Sequence, residues 1–356
     1  MRSRRVGPAT FHRLLGEYGS AEAAIAALPD IARAAGVTNY LPYSFAEAER
    51  EFAAGCRIGA RLLCFGEPGY PADLADVSDA PPVLWLRGNP GLLAHPAVAM
   101  VGARNASSLG SRMAKLLAHD IGASGFVVVS GLARGIDSAA HSAALATGTV
   151  AVMAGGVDYI YPRENQKLAD QIAEQGAILS EQPIGLAPQA RHFPRRNRIV
   201  SGLARAVIVV EAAARSGSLI TARDAADQGR EVMAVPGHPL DARAAGCNML
   251  LRDGATLVRS GKDVTEALEL PEPAPPRQMA MPGLAEAPKP NRPASVAAAL
   301  DLSRRILTLL GPSPIPEDQL IRELDLPAQK VSGELVTLEL QGKLARQSGG
   351  MLSLVV

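Results

Sequence analysis

The sequence predicts an open α/β sheet, preceded by a helical segment and followed by a small separate module. Three observations carry this reading. From residue 97 onward, short and fully apolar runs alternate with helical stretches. Turns rich in glycine and arginine come after those runs, and a proline-dense stretch cuts off the last part of the chain.

The opening residues, 1–75, are rich in Ala and Leu at helical spacing, as in Phe11-His12-Arg13-Leu14-Leu15 and Ala23-Ala24-Ile25-Ala26-Ala27-Leu28, with breaks at Gly16, Gly19, Pro29 and Gly36. A short helical bundle is expected there. Its Tyr18-Gly19-Ser20-Ala21-Glu22-Ala23 turn resembles helix-hairpin-helix and sterile-alpha-motif-like modules, and the plainer role is a helical spacer or docking domain.

Residues 76–270 carry the apolar runs Ala97–Val101, Phe126–Val129, Val150–Met153, Ala177–Leu179, Ala206–Val210, Val232–Val235 and Thr256–Val258. Runs apolar at every position are strands covered on both faces, the signature of a parallel sheet between helical layers. The segments at the strand ends are more telling than the strands. Gly102-Ala103-Arg104-Asn105, Ser130-Gly131-Leu132-Ala133-Arg134-Gly135, Ala154-Gly155-Gly156 running to Tyr161-Pro162-Arg163, Ser180-Glu181, Glu211 to Ser218, and Pro236-Gly237-His238 all fall there. That edge is where open α/β sheets bind ligands, and its glycines and helix starts suit phosphate.

The chain has 356 residues, 47% of them apolar, and a net charge of +1 from 36 Lys+Arg and 35 Asp+Glu, so bulk charge draws it to neither nucleic acid nor membrane. Any anion site is built locally. Between Gln182 and Val210 there is no Asp or Glu, while Arg191, Arg195, Arg196, Arg198 and Arg205 fall there around Phe193 and Pro194. Arginine forks grip phosphate oxygens and an aromatic ring offers a base a stacking face. This combination points to a polyanion partner. Aromatics amount to only 4%, so phosphate contacts must dominate any binding of single strands.

Other chemistry finds little footing. No G-x-G-x-x-G starts at Gly102 and no G-x-x-x-x-G-K-[ST] occurs, so neither common nucleotide fingerprint is present. Cys56, Cys64 and Cys247 form no C-x-x-C pair and no cluster with histidine; each reads as a reduced, partly buried small residue, and neither metal nor cofactor is expected. Asp137 and His141, four apart on one helix face, read as structural hydrogen-bonding groups in preference to a base and its orienter. No catalytic set emerges. No transmembrane or signal segment is seen, and a cytoplasmic protein is expected.

Taken in order, Val101-Gly102-x-Arg104-x-x-Ser107, Ser130-Gly131-x-Ala133-x-Gly135-Ile136-Asp137 with Ala140-His141, Tyr161-Pro162-x-x-Asn165, Phe193-Pro194-x-Arg196-Asn197-Arg198, Val210-Glu211-Ala212, Ser216-Gly217-Ser218-Leu219-Ile220-Thr221-Ala222 and Gly229-Arg230-Glu231-Val232-x-Ala234-Val235-Pro236-Gly237 resemble the DNA-processing protein A family, also called Smf. The resemblance covers about residues 97–258. It implies an extended Rossmann-like domain that binds single-stranded DNA in a basic pocket, forms a homodimer and helps load the RecA recombinase during transformation, without an established reaction. Carried over by motif, Arg104, Ser107, Arg163, Phe193, Arg196, Asn197 and Arg198 are the expected DNA-binding residues. Arg191 and Arg195 join them on charge and proximity alone. Leu109 stands where the family often has Tyr, and Ala154 where it often has Gly. A nucleotide or nucleoside-phosphate hydrolase using the same rim, with Glu211 or Asp137 as base, is the second reading. Met249, Leu250 and Leu251 are equally readable as a dimer patch or as core.

Residues 271–295 carry eight prolines and read as a linker. Beyond it, in 296–356, helices at Ser303–Leu310, Glu317–Glu323 and Ala328–Gln341 and a Lys343–Leu354 hairpin have the order of a winged helix, similar to a domain some family members carry. Its charges nearly cancel, and the third helix sets Lys330 beside Glu334 and Glu339. Protein contact or weak DNA tethering is expected of it in preference to sequence reading.

Overall fold

The computed structural model describes residues 1–268, 296–310, 315–324, 326, 328–347 and 350–354. The proline-dense stretch and Gly349 lie outside them. The chain divides into two compact units, Met1–Ala21 with Leu41–Leu268, and Glu22–Tyr40 with Glu269–Val356.

Helix α1 (Pro8–Tyr18) starts on a proline whose missing N–H is no loss at a first turn, and stops at Gly19 in the left-handed region (φ 76°), whose N–H caps Leu15 O. α2 (Ala21–Ala34) buries Ala24, Leu28 and Ala32 along one face. α3 (Phe45–Arg57) opens with a reciprocal capping box between Ser44 and Glu47. Then the pattern departs from the expected helical bundle. Arg61–Cys64 is a strand, β1, and after the one-turn helix α4 (Ala72–Ala75) comes β2 (Val83–Gly88). Both join the main sheet. The only tryptophan, Trp85 of β2, is buried under Gly55 of α3, where a Cβ would overlap the indole, and its Nε1–H donates to Glu51 at 2.8 Å. That contact fastens α3 to the sheet edge.

The remaining strands of this unit are β3 (Ala97–Val101), β4 (Val127–Ser130), β5 (Thr149–Val152), β6 (Ala177–Ser180), β7 (Ala206–Val209), β8 (Glu231–Ala234) and β9 (Thr256–Leu257). The intervening helices are α5 (Ser108–Ala123), α6 (Ile136–Ala144), α7 (Gln166–Gln175), α8 (His192–Gly202), α9 (Ser218–Asp227), α10 (Ala245–Arg252) and α11 (Gly261–Ala267). The sheet order is β1-β2-β6-β5-β4-β3-β7-β8-β9. From β6 to β9 every neighbour is parallel, and β2 and β1 extend that sheet antiparallel. All seven strands expected from the apolar runs are present. Successive side chains serve opposite layers: Val127 and Val129 pack in one core cluster, Val128 in the other. Full burial of one such aliphatic side chain contributes about 1.5–3 kcal/mol.

The chain builds β3 to β6 outward in one direction, then crosses back to lay β7 on the other flank of β3. This reversal places a crevice outside the carboxyl ends of β3 and β7.

The second unit contains, besides Glu22–Tyr40 with all but the first residue of α2, α12 (Val296–Leu309), β10 (Ile315–Pro316), α13 (Glu317–Leu324), α14 (Ala328–Leu340), β11 (Leu344–Gln347) and β12 (Met351–Leu354), with sheet order β10-β12-β11. Ile306, Leu320, Leu324, Val331, Leu335, Leu338, Leu344 and Leu352 share its core. This is the winged-helix order the sequence predicts. Arg346 of the wing strand β11 turns inward to Glu317 and Glu339.

Candidate nucleic-acid interface

The loop after β3 sets the interface. Gly135, at φ +75°, lies against the backbone of Ala103 and Arg104, too close for any Cβ, and Ile136 N–H donates to Ala103 O at 3.2 Å. Held this way, Arg104 is exposed, with its guanidinium carbon 5.4 Å from the ring centroid of Phe193, a cation–π distance. Phe193 sits in the first turn of α8. Tyr161 also meets it edge-on, centroids 5.9 Å apart at 63°. The three form one half-exposed platform. The sequence reading carried Tyr161 only as part of its Tyr161-Pro162 motif; the pairing that marks it out is a contact between distant segments.

Further exposed cations adjoin the platform residues in the chain. Arg163 stands two residues beyond Tyr161, in a 3-10 turn whose Asn165 donates to Leu132 O (2.9 Å) and Ala133 O (3.2 Å), tying two rim loops together. Arg191 and Arg195 flank Phe193 in the chain, and both are exposed. Burial, with the charges of Arg191 and Arg195, pushes the His192 imidazole below its ordinary pKa, so it stays neutral; its Nδ1 accepts from Gln189 N–H at 3.2 Å. None of Arg104, Arg163, Arg191 and Arg195 is in an ion pair among the described residues. Arg134, by contrast, binds Glu164 at 2.7 Å.

Other expected DNA-binding residues face inward. Arg196 is 8% exposed, donates from Nη1 to Val152 O at 2.7 Å, and lies beside the buried Asp137 with Gly131 closed over its guanidinium. Arg198 is 7% exposed; Nη2 binds Glu181 Oε1 at 2.6 Å, Nη1 reaches Asp79 O at 2.5 Å, and Nε lies 3.4 Å from Asp79 Oδ2. These two correct the expectation of a free arginine row. Both are consumed inside the fold; for Arg198 the reason is that Glu181, unpaired at that depth, would carry a large desolvation penalty. Asn197 is half-buried, and its carbonyl accepts from Ser201 Oγ at 3.3 Å. Ser107 caps α5, its Oγ accepting from Gly110 N–H at 2.9 Å, and donates to Glu211. Its hydroxyl is thereby spent.

The carboxylates weighed as bases are likewise engaged. Asp137 accepts from Gly131 N–H (3.1 Å) and Ala133 N–H (3.3 Å); burial pushes its pKa up against the pull of Arg196. His141 does not reach it. The imidazole Nδ1 lies 2.7 Å from Thr149 Oγ1, and burial drives its pKa to about 3, so it is neutral. Cys56, Cys64 and Cys247 are unpaired, and no group of three or more metal-ligating side chains occurs among the described residues. No described helix is long and apolar enough to cross a membrane. In α10, Leu250 and Leu251 pack against the core, which leaves Met249 as the exposed member of that expected patch.

The Arg198 network makes one pH dependence. Burial, then Asp79 and Asp227, raise the nearby Asp224 from 3.8 to about 6, outweighing Arg198. The folded chain therefore holds that proton more tightly than the unfolded chain, and stability falls as pH rises from about 4 to 6 and stays reduced above. Asp224→Asn removes this loss. In thermal melts its advantage over wild type is expected to be larger at pH 8 than at pH 4; equal differences at both would contradict the assignment.

An open, reversing parallel sheet with glycine-lined strand ends, followed in the chain by a winged helix, defines a Rossmann-like protein with an appended winged-helix module as a class. The DNA recombination-mediator protein A model matches residues 61–269, the DprA-like N-terminal HHH domain residues 1–54 and the DprA winged helix domain residues 287–350. This chain belongs to the DNA recombination-mediator protein A family. It is 47% identical over 202 residues to DNA processing protein DprA of Streptococcus pneumoniae, covering 56% of this chain and 71% of that protein. Protein Smf of Escherichia coli is 38% identical over 290 residues, 80% of this chain and 75% of that one. Among solved structures, the X-ray structure of Streptococcus pneumoniae DprA aligns with TM-score 0.64 at 38% identity, over 75% of this chain and all (100%) of that chain. Helicobacter pylori DNA processing protein A, whose structure is described for its single-stranded DNA binding mode, aligns with TM-score 0.54 at 31% identity, over 59% and 95% of the two chains.

Proposed function

We propose that this protein binds single-stranded DNA along the Arg104–Phe193–Tyr161 platform, with Arg163, Arg191 and Arg195 neutralising phosphates on either side. The observation that carries the reading is the combination itself: Arg104 over a half-exposed ring able to stack a base, with exposed arginines in no ion pair among the described residues two positions to either side of Phe193 and two beyond Tyr161. Arg196 and Arg198 act from below, positioning α8. Asn197 belongs to the same helix turn and contributes at the margin, and Ser107 serves through the cap of α5. The role is binding without a catalysed reaction; Asp137 and Glu211, the bases a hydrolase would need, are both occupied by hydrogen-bond donors. The protein acts as a homodimer in the cytoplasm and helps load RecA onto the bound strand, as the resemblance implies.

The test is a salt titration of oligothymidylate binding. Counterion release gives a log–log slope of about −0.7 per phosphate neutralised on a single strand. A slope of about −2 to −3 is expected for three or four contacts, with no change on permuting sequence. A flat salt response overturns the proposal.

A further inference from the structure

The crevice between β3 and β7 is where an open α/β sheet of this order seats a phosphate, and here the protein has filled it with its own anion. Helix α5 starts there on Ser107 as its N-cap, so the positive end of its dipole lies at this position. Glu211, just past the end of β7, reaches into that position. One carboxylate oxygen accepts the Ser107 N–H at 2.9 Å and the other accepts the Ser107 hydroxyl. The fit extends to Gly110: a Cβ there would lie 2.5 Å from each of the two oxygens, so the helix is pared back to admit the carboxylate. Glu211 is in no ion pair among the described residues; Arg243, whose charge it feels, is bonded to Asp241. A carboxylate thus sits in the middle of the rim, while Arg104 lies over Phe193.

We propose that Glu211 is a specificity-determining residue, an internal phosphate mimic that bars nucleoside monophosphates from the crevice and confines ligands to the arginine and aromatic platform. Any phosphate-binding rim faces competition from free nucleotides. A carboxylate held at this seat removes that competition there, whereas a strand that touches several separate arginines keeps its affinity through their number. The proposal takes from the preceding reading only that a strand is the ligand kept; its own test uses a mononucleotide.

Calorimetric titration of the full chain with dTMP reads this directly. Wild type is expected not to saturate up to about 1 mM. Glu211→Ala empties the seat and is expected to bind dTMP at least tenfold more tightly. Glu211→Gln keeps the size and one acceptor but not the charge, and is expected to gain about threefold, which preserves the test if the alanine variant melts early. Saturable dTMP binding by wild type, or folded Glu211 variants that bind no better than wild type, would overturn the inference. Gain of dTMP binding in a protein that ignores oligothymidylate would leave it standing and remove the proposed function instead.

Discussion

Arg198→Ala is expected to cost about 3–5 kcal/mol of stability and to lower the single-strand affinity of the folded protein far less than loss of Phe193 does. The side chains of Arg198 and Glu181 are 8% and 6% exposed, so truncation strands a carboxylate away from water with no counter-charge. Asp79 loses its partner in the same step, and Asp224 loses the guanidinium that partly offsets its neighbours. Removing one member of a buried pair is more damaging than replacing both, so Arg198→Met with Glu181→Leu should recover much of the loss. Urea unfolding gives the first quantity, and oligothymidylate titration well below the variant's melting temperature gives the second. Normal stability with weakened binding would return Arg198 to the DNA surface.

Phe193→Ala carries the largest expected effect on binding. Base stacking on an aromatic side chain is worth about 1–3 kcal/mol per base, about 5-fold to 150-fold in Kd. The ring also holds Arg104 over its face and Tyr161 against its edge, so its loss releases both. Phe193→Tyr should keep most of the affinity, and Phe193→Leu, apolar but without a π face, should not. Arg104→Ala should instead make the salt slope shallower by about 0.7, one phosphate fewer. Two signatures therefore separate the stacking ring from the cation beside it. Full affinity in Phe193→Ala would rule out the platform.

The seven parallel strands were readable because each is apolar at nearly every position, a pattern that only two covered faces tolerate. β1 and β2 were not, since Arg61–Cys64 is short, comes after a helix-rich segment and pairs at the sheet's outer edge. The arginine-rich segment was legible as a concentration of charge but not as two populations. A partial signal existed: Arg196 keeps helical phase with Ile199, Val200 and Leu203, all buried, which is an inward register. Its hydrogen-bond partner, Val152 O, and the nearby charge of Asp137 come from distant segments and leave no local trace. The same holds for Glu211, whose meeting with Ser107 and Gly110 depends on β7 lying beside β3.

The most direct test of the account is the structure of the full chain with a short oligothymidylate bound. Phosphates within hydrogen-bond reach of Arg104 and of at least one of Arg163, Arg191 and Arg195, with a thymine against Phe193, are the expected result. A strand seated elsewhere, on the winged helix or on the opposite edge of the sheet, with the platform bare, would contradict it.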